Sequence, residues 1–137
     1  MNTQNTKDQY LLLFRGTRWD KELSPEEIQS VVNKWAAWFE RLTKEGKAKA
    51  GQPLKDEGKV VSGKKRTVAD GPFAESKEAI GGYFLLEVDS IDEAVAIAKE
   101  CPGLDYGLNV EVRPVADQCM VRQRAMDREA GQELAAV

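Results

Sequence analysis

The chain contains no histidine at all. That absence removes the Ser-His-Asp triad, the Cys-His dyad and every His-ligated zinc site. Any acid–base chemistry has to run on Asp, Glu, Lys, Tyr or Cys, whose ordinary pKa values lie far from 7 and move only with burial or a charged neighbour. Cysteine is nearly absent too. Cys101 and Cys119 have no CxxC spacing, which predicts two free thiols in a reducing compartment and no catalytic or redox pair. Long apolar runs are missing: the longest, Tyr10 to Phe14, falls far short of the roughly 20 residues of a membrane span. The opening MNTQNTKDQ is polar and the AAV end carries no lipidation signal, so the expectation is a cytoplasmic protein without a membrane partner. There is no excess of positive charge either. The net charge of −3 argues against direct nucleic-acid binding, which needs clustered Lys and Arg, and Lys64-Lys65-Arg66 reads as a solvated turn.

What is present is the composition of one ordinary globular domain, 137 residues with 42% apolar and 31% charged. Residues 1–8 read as a disordered tail, 9–115 as the domain, and 116–137 as a charged helical tail. QYLLLFR, from Gln9 to Arg15, predicts a buried strand. At Ser24-Pro25-Glu26-Glu27 an N-cap, a first-turn proline and a capping box coincide. The helix they open carries Ile28, Val31, Val32, Trp35, Phe39 and Leu42 at spacings of three and four, with Gly46 as its stop. Short extended pieces follow at Ala48–Leu54, Lys59–Ser62 and Arg66–Ala69, and YFLLEV predicts a second apolar strand at Tyr83–Val88. Ser90-Ile91-Asp92-Glu93 starts another helix, expected to bury Ile91, Ala94, Val95, Ile97 and Ala98. Asn109 to Pro114 alternates as a strand should. The order β-α-β, inserted hairpin, β-α-β predicts an α+β, ferredoxin-like fold, an antiparallel sheet with both helices on one face. The other face would leave an apolar patch, which a homodimer would cover.

Three constellations carry possible chemistry. Gly58 to Lys65 nearly spells a phosphate-binding loop but has Lys65 where Ser or Thr must hold magnesium, and it is rejected. Trp35 lies on the helix stripe and reads as core, leaving Trp19 and Trp38 as candidates for lining a pocket or interface. Asp70-Gly71-Pro72-Phe73-Ala74-Glu75-Ser76-Lys77-Glu78 gathers polar groups in one turn region, where a partly desolvated Asp70 could act as a general base. The competing reading has Asp70 serving only turn amides and Glu75 and Lys77 solvated.

VADGPFAESKEAIGGYFLLEVDSIDEAVAIAKECPG, closing with VEVRPV, resembles the YCII-related family, specifically its DGPF-domain branch. YLLLFRG, the SPEE helix start and GQPL fit the same pattern. The resemblance implies a ferredoxin-like protomer that pairs through its sheets into a dimeric α/β barrel. Members of the wider superfamily often hold a His-Asp pair proposed for acid–base work. This chain lacks the histidine and keeps only Asp70. DGPF-domain members also resemble proteins associated with sigma-factor-type transcription systems. The expectation is therefore a homodimer that binds a small polar or anionic molecule near the DGPF turn. Asp70 would be the acid–base group, with Arg15, Glu75, Ser76, Lys77 and Arg113 binding the ligand and no metal or cofactor. The alternative is a non-enzymatic regulatory or interaction module whose contact lies in the tail beyond residue 115.

Overall fold

A computed structural model describes residues 8–71 and 79–136, with side chains to residue 131. The elements run β1 (Asp8–Arg15), α1 (Pro25–Lys44), β2 (Ala48–Pro53), β3 (Lys59–Ser62), β4 (Thr67–Asp70), β5 (Ile80–Val88), α2 (Ile91–Ala98), a 3-10 turn (Pro102–Tyr106), β6 (Asn109–Pro114) and α3 (Met120–Ala136). Four strands form an antiparallel sheet in the order β2-β5-β1-β6, with β3 and β4 as a separate hairpin. This is the ferredoxin-like α+β arrangement. The sheet is open, so the single chain closes no barrel.

Alternation along the strands decides which residues meet the helices. Tyr10, Leu12 and Phe14 of β1 and Phe84, Leu86 and Val88 of β5 are buried, and they form one core with Trp38 and Leu42 of α1 and Ala94, Ile97 and Ala98 of α2. The intervening Leu11, Leu13, Tyr83 and Leu85 face the other side and stay half-buried. Leu11 sits opposite Leu85 and Leu13 opposite Tyr83, so cross-strand neighbours shield each other there.

Both helices start as their sequences predict. At α1 the Glu27 N–H donates to Ser24 Oγ (3.1 Å) and the Ser24 N–H to Glu27 Oε1 (2.9 Å), completing the capping box. At α2 the box is half made: Ser90 Oγ accepts from the Glu93 N–H (3.2 Å), while the Glu93 carboxylate takes the Asp89 N–H. The Ser24 contacts hold the Glu27 carboxyl below its ordinary range. A depressed carboxyl contributes stability that is full above its unfolded pKa and disappears as pH falls through the folded one. Glu27→Gln should therefore sit below wild type in chemical denaturation at pH 7, with the gap closing as pH falls through the folded pKa of Glu27. A gap independent of pH would place the effect elsewhere.

Helix phase is where expectation and structure part. The inward residues of α1 are Val31, Trp38 and Leu42, whereas Trp35 and Phe39 are half-buried and Val32 is exposed. Trp38, from sequence a candidate for a pocket or interface, is core: its indole N–H donates to Glu100 (2.9 Å), which also pairs with Arg41. On α2, Ala94, Ile97 and Ala98 are buried as expected, but Ile91 and Val95 point outward, because so short a helix lays only one narrow side on the sheet. The tail does form a helix. Its backbone lies apart from the other described helices and strands, while Met120 and Gln123 of its first turn line a hollow with Gln9 and Tyr10 of β1 and Pro114 of β6.

Candidate functional site

The displaced tryptophan makes a slot. Trp35, Val32, Ala36 and Phe39 of α1, Trp19 from the preceding loop, and Phe14 and Phe84 of the sheet enclose a space of about 410 Å³. Its walls are ring upon ring. Phe14 meets Trp35 edge-on at 5.1 Å between centroids, Trp19 lies 6.1 Å from Trp35, and Phe39 lies 4.7 Å from Phe84. Tyr106 extends the stack outward, 6.3 Å from Trp19.

Two glycines keep the floor thin. A Cβ on Gly51 would come within 2.9 Å of both Phe39 and Phe84. One on Gly82 would fall 2.9 Å from the Gln52 carbonyl oxygen, which is backbone and cannot swing away. Any larger residue here would push β2 off β5 or fill the slot. The same Gly81-Gly82 pair that marks the start of YFLLE in the sequence is thus a close-approach device.

A second space of about 410 Å³ is lined by Thr17, the segment Leu54 to Lys59, Gly71, Ala79 and Ile80; it shares no lining residue with the slot, but Leu54 follows Pro53 and Ile80 precedes Gly81 of the slot's lining. The Leu54 N–H donating to the Gly81 carbonyl (2.8 Å) lies between the two. Where the slot is apolar, this cleft offers Lys55, Asp56, Glu57 and Lys59 together with Gly71 of the DGPF turn.

Asp70 stands at the end of β4, paired with Lys59, and its side chain is 71% exposed. Glu75, Ser76 and Lys77 lie outside the described residues. Arg15 and Arg113 are brought together, but on the open face of the sheet. Arg15 Nε and Nη2 both reach Glu111 Oε1 at 2.7 Å, and Arg113 Nη1 reaches Glu111 Oε2 at 3.1 Å. Arg113 first, then Arg15, hold Glu111 below the ordinary carboxylate range. Glu111 was not singled out from sequence, although it sits between two strand positions on the arginines' side of an alternating β6. Of the expected ligand set, Asp70 precedes Gly71 of the cleft's lining, while Arg15 and Arg113 are both engaged by Glu111.

Two further expectations have a position. Gly58 to Lys65 runs through β3 into the hairpin turn, which confirms the rejection of a phosphate loop, since no helix follows it. Burial pushes the Cys101 thiol up to about 11. Cys119 is exposed, and the N–H groups of Arg122 and Val121 lower its pKa. Iodoacetamide at pH 7.5 should alkylate Cys119 and spare Cys101 while the fold is intact, as read by peptide mass. Equal labelling of the native protein would contradict this placement. Among the described residues no cluster of three or more Cys, Asp or Glu could hold a metal ion, and no helix is long and apolar enough to cross a membrane.

Comparison with known proteins adds three findings. The model of the YCII-related domain matches residues 10–117. An uncharacterised protein of Rhizobium meliloti (strain 1021) is 42% identical over 50 residues, which are 36% of this chain and 40% of that protein's length. The solved structure of 5-chloro-2-hydroxyhydroquinone dehydrochlorinase from Burkholderia phenoliruptrix AC1100, in complex with 2,5-dihydroxybenzoquinone, aligns with 80% of this chain and 95% of its own, at 18% identity and a TM-score of 0.42.

Proposed function

The chain belongs to the YCII-related domain family, and within it we propose that this protein binds a small molecule with a flat apolar part and a polar or anionic head. The observation that carries the reading is an aromatic slot followed, at the next positions of the same two chain segments, by a cleft that carries Lys55, Asp56, Glu57 and Lys59 and includes Gly71 of the DGPF motif. A pocket walled by apolar and aromatic groups with a few polar ones at one end is the usual form of a small-molecule site. The rings of Trp19 and Trp35 would cover the flat part. Lys55 and Lys59 would meet the head, with Asp70 holding Lys59 in place and serving as the acid–base candidate once a seated ligand excludes water. The DGPF-branch assignment belongs to the same reading, as does a site that works without a cofactor.

The homodimer remains part of the proposal. It rests on the sheet's open face, where Leu11, Leu13 and Leu85 lie beside the Arg15–Glu111–Arg113 cluster. In this reading the arginines orient a second copy of the sheet rather than the ligand.

The test is a thermal-shift screen of ring carboxylates, lactones and phosphorylated metabolites on the wild type beside Asp70→Asn. A ligand at 100 times its dissociation constant stabilises by about 2.7 kcal/mol. The expected result is a group of ring-bearing acids whose shift shrinks in Asp70→Asn. Silence across the panel would overturn small-molecule binding. It would favour the second reading, a regulatory module of a sigma-factor-type system, which the exposed, charged surface of α3 supports. That reading requires a protein partner whose binding disappears on deletion from Asp117 onward.

A further inference from the structure

The hairpin of β3 and β4 lies outside the four-stranded sheet, and beyond Lys59 and Asp70 at its base it contributes nothing to the proposed site. Its two strands pair only with each other, and among the described residues their backbone lies apart from every other strand and helix. Every residue from 52 to 70 is exposed. A lone two-stranded hairpin is marginal in water, because it buries too little to offset the ordering of its backbone. This one nevertheless carries apolar residues outward: Val61 and Val68 are cross-strand partners on one face, 61% and 63% exposed.

Its charge is opposite to that of the rest of the molecule. Lys59, Lys64, Lys65 and Arg66 against Asp70 leave the hairpin at +3 in a chain of net −3, so the remaining residues carry −6. The tip is set to present that charge. Arg66 adopts φ 59°, and its Nη1 donates to the carbonyls of Lys64 (3.0 Å) and Gly63 (3.4 Å), tying the turn closed.

A matching surface lies on α2. Ile91 and Val95, 43% and 37% exposed, are one helical turn apart, about 6 Å along the axis. That spacing is close to the roughly 5 Å between cross-strand partners such as Val61 and Val68. Exposed Asp89 and Asp92 flank the N-terminal end of this pair, and among the described residues neither forms an ion pair. Within one chain the backbone of β3 and β4 lies apart from that of α2.

We propose that the hairpin is an arm that docks on α2 of a second copy of this chain, laying Val61 and Val68 on Ile91 and Val95 with Lys64 and Lys65 facing Asp89 and Asp92. A nucleic acid is the poorer occupant. A polyanion would be repelled by a body at −6, and it has no use for a valine pair. This contact is separate from the sheet face and from the ligand slot.

The experiment is sedimentation equilibrium of the full chain at low salt. The proteins compared are the wild type, Lys64→Glu/Lys65→Glu on the tip, Asp89→Lys/Asp92→Lys on α2, and the variant carrying all four changes. All sites are exposed, so each variant should keep the wild-type circular dichroism. The tip and α2 variants should each raise the dissociation constant of one association step by about tenfold, and the four-fold variant should return to near the wild-type value. Val61→Asp/Val68→Asp should abolish the same step. A wild type without any step sensitive to the tip, or a loss that the combined variant does not restore, would overturn the arm. A tip-dependent gain of binding to a labelled single-stranded oligonucleotide, unaffected by Asp89→Lys/Asp92→Lys, would overturn it in favour of nucleic acid.

Discussion

Leu12→Ala should lower the unfolding free energy by about 2–5 kcal/mol, the range for a leucine removed from a packed core. Leu12 is fully buried on a central strand of the sheet, in a core shared with α1 and α2. Urea denaturation should show a fall in midpoint with an unchanged slope. Its neighbour Leu13 provides the contrast. Leu13 lies on the open face and is half-buried by its strand neighbours, so at nanomolar chain concentration Leu13→Ala should cost clearly less. If the sheet faces pair, that cost grows with protein concentration. Equal losses at all concentrations would contradict the division of the sheet into a helix-covered and an open face.

Trp35→Ala should weaken the tightest ligand of the screen by roughly 10–100-fold, which is about 1.4–2.8 kcal/mol. The indole forms one whole wall of the slot and touches Phe14, Trp19 and Trp38, so its loss removes ring contacts on the ligand and leaves an opening to solvent. Because Trp35 is half-buried, the variant will also be less stable. Trp19→Ala, farther from the core, separates the two effects: it should weaken binding with a smaller change in midpoint. Isothermal titration reads the affinities and thermal melts the midpoints. Undiminished affinity in both variants would remove the ligand from the slot.

The strands and helices of this fold are legible in the sequence because local signals agree with one another. QYLLLFR, the Ser24 capping box and the alternating NVEVRP each specify one element on their own, and their order leaves few ways to build a sheet. The helix phase was less legible. Spacings of three and four place Val31, Val32, Trp35, Phe39 and Leu42 on one broad stripe, and a stripe does not say which edge faces the sheet. The choice fell to the Glu100 carboxylate at the end of α2, which accepts the Trp38 N–H and turns Trp35 toward the slot. That contact spans 62 residues and leaves no local mark. The site divides in the same way. Gly81-Gly82 and the DGPF turn could be recognised as special, and Asp70 lies beside the cleft. The convergence of Arg15 and Arg113 on Glu111 depends on register between β1 and β6, with Leu13 opposite Glu111, and sequence alone does not supply that pairing.

The central claim is that a ring-bearing acid enters the slot between α1 and the sheet. The chain has three tryptophans and so three indole N–H signals in a nitrogen-15 correlation spectrum, assignable by single Trp→Phe changes. Titration with the tightest ring carboxylate of the screen should move the Trp19 and Trp35 signals most and leave Trp38, bonded to Glu100, close to its free position. Saturable binding that leaves Trp19 and Trp35 unmoved would contradict the account and place the ligand outside the slot.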